Sequence, residues 1–128
     1  MTRAEIPAAV LDFLVKRIDS VPELETLLIM SADEQRAWAV PDIAGLTYVP
    51  QKSALAVLRA LERHGLVSGN AQGSLFRFSP KNDEERQVVI QTEVAYRNHL
   101  VSIATFIHRK AATPVQEFAR AFNLKKED

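Results

Sequence analysis

Apolar positions recur along most of this chain at helical spacing. Residues at i, i+3 and i+4 share one face of a helix, so their recurrence predicts amphipathic helices. Strand-like patterns are shorter. Two of them, 66–68 and 75–78, predict a β-hairpin closed by the loop 69–73, and 38–40 predicts a short extended piece. The segments with helical spacing are 7–19, 21–32, 41–46, 50–64, 83–110 (one long helix) and 114–123.

Two of these helices have clear boundary signals. Ser20 stands where an N-cap is expected, with Pro22 in the first turn and Glu23 completing a capping box. Gly65 follows the helix 50–64, and glycine readily adopts the left-handed conformation that ends a helix. The pattern therefore predicts a mainly α chain with a small β-hairpin.

The middle of the chain resembles the winged helix-turn-helix family, and its long flanking helices make the whole similar to MarR-like regulators. Residues 58–67 read LRALERHGLV, similar to the L-x-x-L-E-x-x-G-L-V that ends the family's recognition helix. Residues 39–44 read AVPDIA, similar to the t-x-x-e-I-A that opens the helix before the turn. The resemblance implies three parts: an N-terminal helix in 1–20, a winged helix-turn-helix domain in 21–80, and a C-terminal helical region in 81–128 that dimerises together with the first.

Charge is unevenly distributed, although 16 basic and 16 acidic residues cancel over the 128 positions. Residues 50–80 carry four basic side chains against one acidic side chain, whereas 1–49 are net acidic. The basic segment lies within the part of the chain that resembles the winged helix-turn-helix family. That resemblance implies that helix 50–64 enters the major groove of double-stranded DNA. The expected base contacts are Gln51, Lys52, Ser53 and Arg59, and the expected phosphate contacts are Arg63 and Arg77.

Two features favour a different partner. Leu55 and Ala56 occupy positions that are often polar in the family, and the loop 69–73 has no Arg or Lys to place in a minor groove. The alternative function is therefore a winged-helix module that binds a protein partner and does not contact DNA.

A seam of apolar residues runs along the predicted helix 83–110, with spacings of 7, 4, 3 and 4 like those of a coiled coil. Either helix 7–19 covers this seam within one chain, or a second copy does. We expect a homodimer, because apolar residues occupy more than one face of the helix. The last helix is expected to pack on the same bundle through Phe118, Phe122 and Leu124. The seam consists of Val89, Tyr96, Leu100, Ile103 and Ile107.

Catalytic and metal-binding patterns are scarce. The chain has no cysteine, which excludes disulfides, thiol catalysis and thiolate metal sites. His99 and His108 are nine residues apart on one predicted helix and so lie on nearly opposite faces. We therefore expect no enzyme, no metal site and no cofactor.

These observations together favour a cytoplasmic, bacterial-type transcription regulator. No apolar run approaches the roughly 20 residues of a membrane span, so we expect no membrane contact. A small-molecule effector is a further option, with Trp38 and Tyr96 as the aromatic candidates for a pocket wall.

Overall fold

The computed structural model describes residues 6–112, which form six helices and three strands. The chain is mainly helical, and its small sheet is antiparallel. In chain order the elements are α1 (Ala8–Arg17), α2 (Val21–Ser31), β1 (Trp38–Ala39), α3 (Val40–Thr47), α4 (Gln51–Arg63), β2 (Val67–Gly69), β3 (Leu75–Phe78), α5 (Asp83–Asn98) and α6 (Leu100–Ala112).

The predicted N-cap at the start of α2 is confirmed, because Ser20 Oγ accepts a hydrogen bond from the Glu23 backbone N–H at 3.3 Å. The reciprocal half of the predicted capping box is shifted by one residue, since Glu23 Oε1 accepts from the Asp19 N–H at 2.9 Å and not from the Ser20 N–H. The first N–H groups of a helix have no partner within it, so the bond to Ser20 satisfies one of these donors.

The sheet has three strands in the order β1-β3-β2. The predicted hairpin is confirmed, with Val67 opposite Phe78. The predicted extended piece becomes an edge strand that pairs Trp38 with Phe76. Burial alternates along β3, where Phe76 and Phe78 face the core while Leu75 and Arg77 face outward.

The predicted single helix over 83–110 is wrong, because the chain breaks at His99, where φ is −135° and ψ is 48°. Backbone hydrogen bonds continue on both sides of the break, from the His99 N–H to Ala95 at 2.7 Å and from the Ile103 N–H to His99 at 2.9 Å. Neither glycine nor proline marks the position. The segment is therefore two helices, and both α5 and α6 pack against α1 and α2.

The predicted apolar seam is mostly core. Val89, Ile103 and Ile107 have no exposed surface, because α1 and α2 cover them. The packing of helix 7–19 over the seam within one chain is therefore what the structure shows, and these three side chains are closed to a second copy. The other two differ, since Tyr96 is half-buried and Leu100 is 53% exposed.

One hydrophobic cluster extends from Val10 in α1 to Ile107 in α6 and includes residues of every helix. None of the helices within 6–112 is both long and apolar enough to cross a bilayer. The predicted helix 114–123, with Phe118, Phe122 and Leu124, lies outside the described residues.

Candidate nucleic-acid interface

α3 and α4 are joined by a tight turn. α3 ends at Tyr48, which adopts the left-handed conformation (φ 59°, ψ 43°). The Val49 N–H then donates to the Ala44 carbonyl at 3.1 Å, and Pro50 precedes the first residue of α4. A proline with its fixed φ suits the start of a helix, so α4 begins immediately after the chain has reversed.

α4 has one buried face and one exposed face. Ala54, Leu58 and Leu61 have no exposed surface and pack toward α2 and α3. The side chains on the opposite face form a stripe in which successive residues are 4, 3 and 4 positions apart, and all of them are exposed. Burial of the leucines therefore fixes which side of the helix remains available to a partner. The exposed stripe comprises Lys52, Ala56, Arg59 and Arg63.

All six predicted DNA contacts are exposed. Within the described residues, Lys52, Arg63 and Arg77 make no ion pair. Arg59 faces Glu62 at 3.8 Å, with both side chains more than a third exposed. Ion pairs of this kind contribute roughly 0–1 kcal/mol, so Glu62 holds Arg59 only weakly.

The start of α4 lies beside the turn of the hairpin. A cleft of about 440 Å³ separates them. Gln51 and Lys52 line this cleft from α4, while Gly73 and Ser74 line it from the hairpin. Its more apolar wall comes from Val40, Pro41 and Leu55.

Arg59 extends over the hairpin turn. A Cβ built on Gly73, whose φ is +69°, would lie only 2.9 Å from Arg59 Nη2. The absence of a side chain at 73 therefore lets the guanidinium approach the turn. The sequence shows an uncharged loop at 69–73, but the fold places a positive charge against it.

Asn70 holds the hairpin turn in shape. Its Oδ1 accepts hydrogen bonds from the Ser74 and Leu75 backbone N–H groups at 2.9 and 3.2 Å. Its Nδ2 donates to Ser74 Oγ at 3.1 Å. Side-chain bonds of this type replace backbone pairs within a turn, so the surface next to Arg59 has a defined conformation.

Arg77 is not brought together with the residues of α4. It lies opposite Ser68 on the outer face of the sheet, whereas its neighbours Phe76 and Phe78 face the core. Sequence patterns do not point to Arg36. Its guanidinium carbon lies 3.8 Å from the centre of the Trp38 ring, and its Nη2 lies 3.5 Å from Asp42 Oδ2. Arg36 precedes β1 in a segment without periodicity, so only the stacking reveals it.

The far end of α4 is anchored by a polar cluster. His64 Nε2 lies 3.1 Å from Asp19 Oδ2, and Lys110 Nζ lies 3.1 Å from Asp19 Oδ1. Lys110 also donates to the Leu14 and Ile18 carbonyls at the end of α1. Burial opposes ionisation of Asp19, but hydrogen bonds from His64 and Lys110 outweigh it and lower its pKa.

The same cluster contains the one trio of potential metal ligands found among residues 6–112, namely Asp19, Glu23 and His64, whose ligand atoms lie within 4.8 Å of one another. Each of the three already has a hydrogen-bond partner in the fold. Glu23 accepts from the Asp19 backbone, and Lys110 supplies the positive charge beside Asp19. The cluster links the end of α1, the end of α4 and α6 through Asp19, whose side chain is partly exposed.

The two aromatic residues predicted for an effector pocket are separated. Trp38 is 4% exposed and is part of the sheet. Tyr96 lines a groove of about 780 Å³ between α2, the end of α3 and the α5–α6 junction. Its hydroxyl donates to Glu25 at 2.9 Å, and burial together with this bond raises the pKa of Tyr96 to about 12.

No protein-family model, curated protein or solved structure matches this chain. The functional assignment therefore depends on the geometry above.

Proposed function

We propose that this chain is a winged helix-turn-helix transcription regulator that binds double-stranded DNA as a homodimer. α3, the Tyr48 turn and α4 form the helix-turn-helix, with α4 as the recognition helix, and the β2–β3 hairpin is the wing. Helices of this kind place their N-terminal side chains on base edges. Gln51, Lys52 and Ser53 occupy that position.

The observation that carries the proposal is the exposed stripe of α4. Lys52, Arg59 and Arg63 lie along it, and each is either without an ion pair in the described chain or held by a weak one. Cations that the fold does not neutralise are available to phosphates, whose neutralisation releases counterions and supplies much of the affinity for DNA. Arg77 adds a fourth cation from the outer face of the hairpin.

The test is fluorescence anisotropy with a pool of labelled random duplexes at low salt. We expect the double variant Lys52→Ala/Arg59→Ala to bind much more weakly than the wild type. Lys16→Ala/Lys81→Ala is the matched control, because it removes two exposed lysines beside α1 and α5. An affinity that is the same for the wild type and the Lys52/Arg59 variant would refute the proposal.

A second candidate, a winged-helix module for a protein partner, is favoured by the apolar wall of the cleft beside α4. Val40, Pro41 and Leu55 line that wall, and Ala56 interrupts the basic stripe. This function predicts no salt-dependent DNA binding and a stoichiometric complex whose formation Leu55→Glu prevents.

A further inference from the structure

The exposed apolar side chains of this fold are concentrated on one face. The described chain has seven large hydrophobic residues that are at least 40% exposed. Leu75, on the sheet, is the seventh and stands apart. The other six, which we call the groove face, are Leu46, Tyr48, Ile90, Val94, Leu100 and Val101.

Four of these six residues line the groove that contains Tyr96, and the other two lie close to them along α5 and α6. Leu46, Tyr48, Ile90 and Leu100 line it directly. Val94 is one helical turn from Ile90 on α5, and Val101 is the residue after Leu100. Tyr48 is 93% exposed and Val101 is 73% exposed, so an occupant of the groove alone would leave much apolar surface in water.

The size of the groove face fits a protein partner. At about 100 Å² for each side chain, the six together expose on the order of 600 Å² of apolar surface. That equals the largest patches found on monomers. With its polar rim added, the face approaches the roughly 800 Å² that each partner contributes to a standard interface.

The rim carries both signs of charge. Glu25 and Glu93 are acidic, Arg97 is basic, and all three line the groove. Arg97 Nη2 lies 2.9 Å from Glu93 Oε1, and Glu25 accepts a hydrogen bond from the Tyr96 hydroxyl. In a two-fold interface each surface meets a copy of itself, so a rim of one sign would repel itself and a mixed rim can pair with itself.

We propose that the occupant of the groove face is a second copy of this chain, docked face to face about a two-fold axis. The inference rests on the homodimer of the proposed function and names its surface, which differs from the predicted seam because Val89, Ile103 and Ile107 are core residues. It also gives the strained turn a role. Tyr48 would contact the partner directly before α4, so that dimerisation sets the position of the recognition helix.

The first test is sedimentation equilibrium over a dilution series, without DNA. Leu100→Glu/Val101→Glu places two charges in the face and should weaken dimerisation by about 100-fold or more, since buried apolar anchors dominate interface energies. Leu75→Glu, which charges the large exposed hydrophobic residue that lies outside the face within residues 6–112, should leave the dimer intact. Circular dichroism monitors the fold, and Ile90→Glu provides an independent second variant.

A folded Leu100→Glu/Val101→Glu dimer of wild-type affinity overturns the proposal, and so does equal weakening by Leu75→Glu. A monomeric wild type overturns it as well. The anisotropy assay then distinguishes failure of the dimer proposal from failure of the DNA-binding proposal. A monomer that still binds duplex DNA would refute the dimer and leave the DNA-binding function standing.

The second test uses the absence of cysteine from the chain. Val101→Cys treated with a bis-maleimide should give a covalent dimer, whereas Leu75→Cys should not. Cross-linking at 75 and not at 101 would locate the contact elsewhere and refute the proposal. A monomer whose cysteine at 101 resists alkylation until the protein is denatured would also refute it, because that result identifies residues 113–128 of the same chain as the occupant.

Discussion

The salt dependence of DNA binding tests the assignment of α4 most sharply. Each copy brings four cations close to phosphates, with Lys52 and Arg59 expected in the groove and Arg63 and Arg77 expected on the backbone, and so a dimer brings eight. The logarithm of the binding constant falls with the logarithm of salt at about −0.9 per neutralised phosphate, which gives a slope of about −7. Raising salt from about 50 to 200 mM should therefore weaken wild-type binding by about 10⁴-fold.

Removing two cations from each copy halves this slope. Lys52→Ala/Arg59→Ala leaves four phosphate contacts in the dimer, a slope of about −3.6 and a loss of about 150-fold over the same salt range. Glu62 does not alter this count, because its exposed pair with Arg59 at 3.8 Å contributes little.

The assay is anisotropy of a labelled duplex over five salt concentrations, with protein in the nanomolar to micromolar range. Lys16→Ala/Lys81→Ala removes equal charge from another face and should keep the slope of the wild type. The reasoning is refuted if the slope of the Lys52/Arg59 variant equals that of the wild type, or if the control flattens the slope as much.

Three further predictions concern the scaffold and are checked by chemical or pH denaturation. Leu58→Ala should lower the free energy of unfolding by about 3 kcal/mol, because Leu58 is fully buried, and half-buried Leu55→Ala should cost less than half as much; equal losses would contradict the assigned faces of α4. Gly73→Ala should lower the free energy of unfolding by about 1 kcal/mol, because φ at residue 73 is +69° and the new Cβ would displace Arg59. An unchanged stability would contradict this geometry. The pKa of Tyr96 is raised to about 12 from the usual 10.0, so its contribution to the free energy of unfolding is fully present below pH 10 and is lost as pH rises through 12. Tyr96→Phe should therefore lose less stability between pH 10 and 12 than the wild type. Identical pH profiles of stability for the two proteins would contradict this prediction.

Local elements were largely predictable from the sequence. The N-cap at Ser20 and the hairpin that follows Gly65 both depend on residues close together in the chain, and the structure confirms each of them. The break at His99 was not predictable. Helical spacing continues across it with neither glycine nor proline, so no local signal in the sequence marks the end of α5.

The site divides in the same way. The exposed stripe of α4 follows from helical periodicity, because burial of Leu58 and Leu61 on one side leaves Lys52 and Arg63 on the other. The position of Arg59 over Gly73 depends on how the hairpin packs against α4, and no spacing in the chain encodes that contact.

Backbone preferences and periodicity within single segments were enough to predict the mainly helical class, the approximate ends of the short elements and the outward face of α4. Long-range packing was needed to establish which apolar residues form the core. The spacing of Val89, Ile103 and Ile107 is the same whether their own chain or a second copy covers them, and their burial beneath α1 resolves the two alternatives. Leu100 was predicted in the same seam, but it is 53% exposed, and Val101 beside it is 73% exposed.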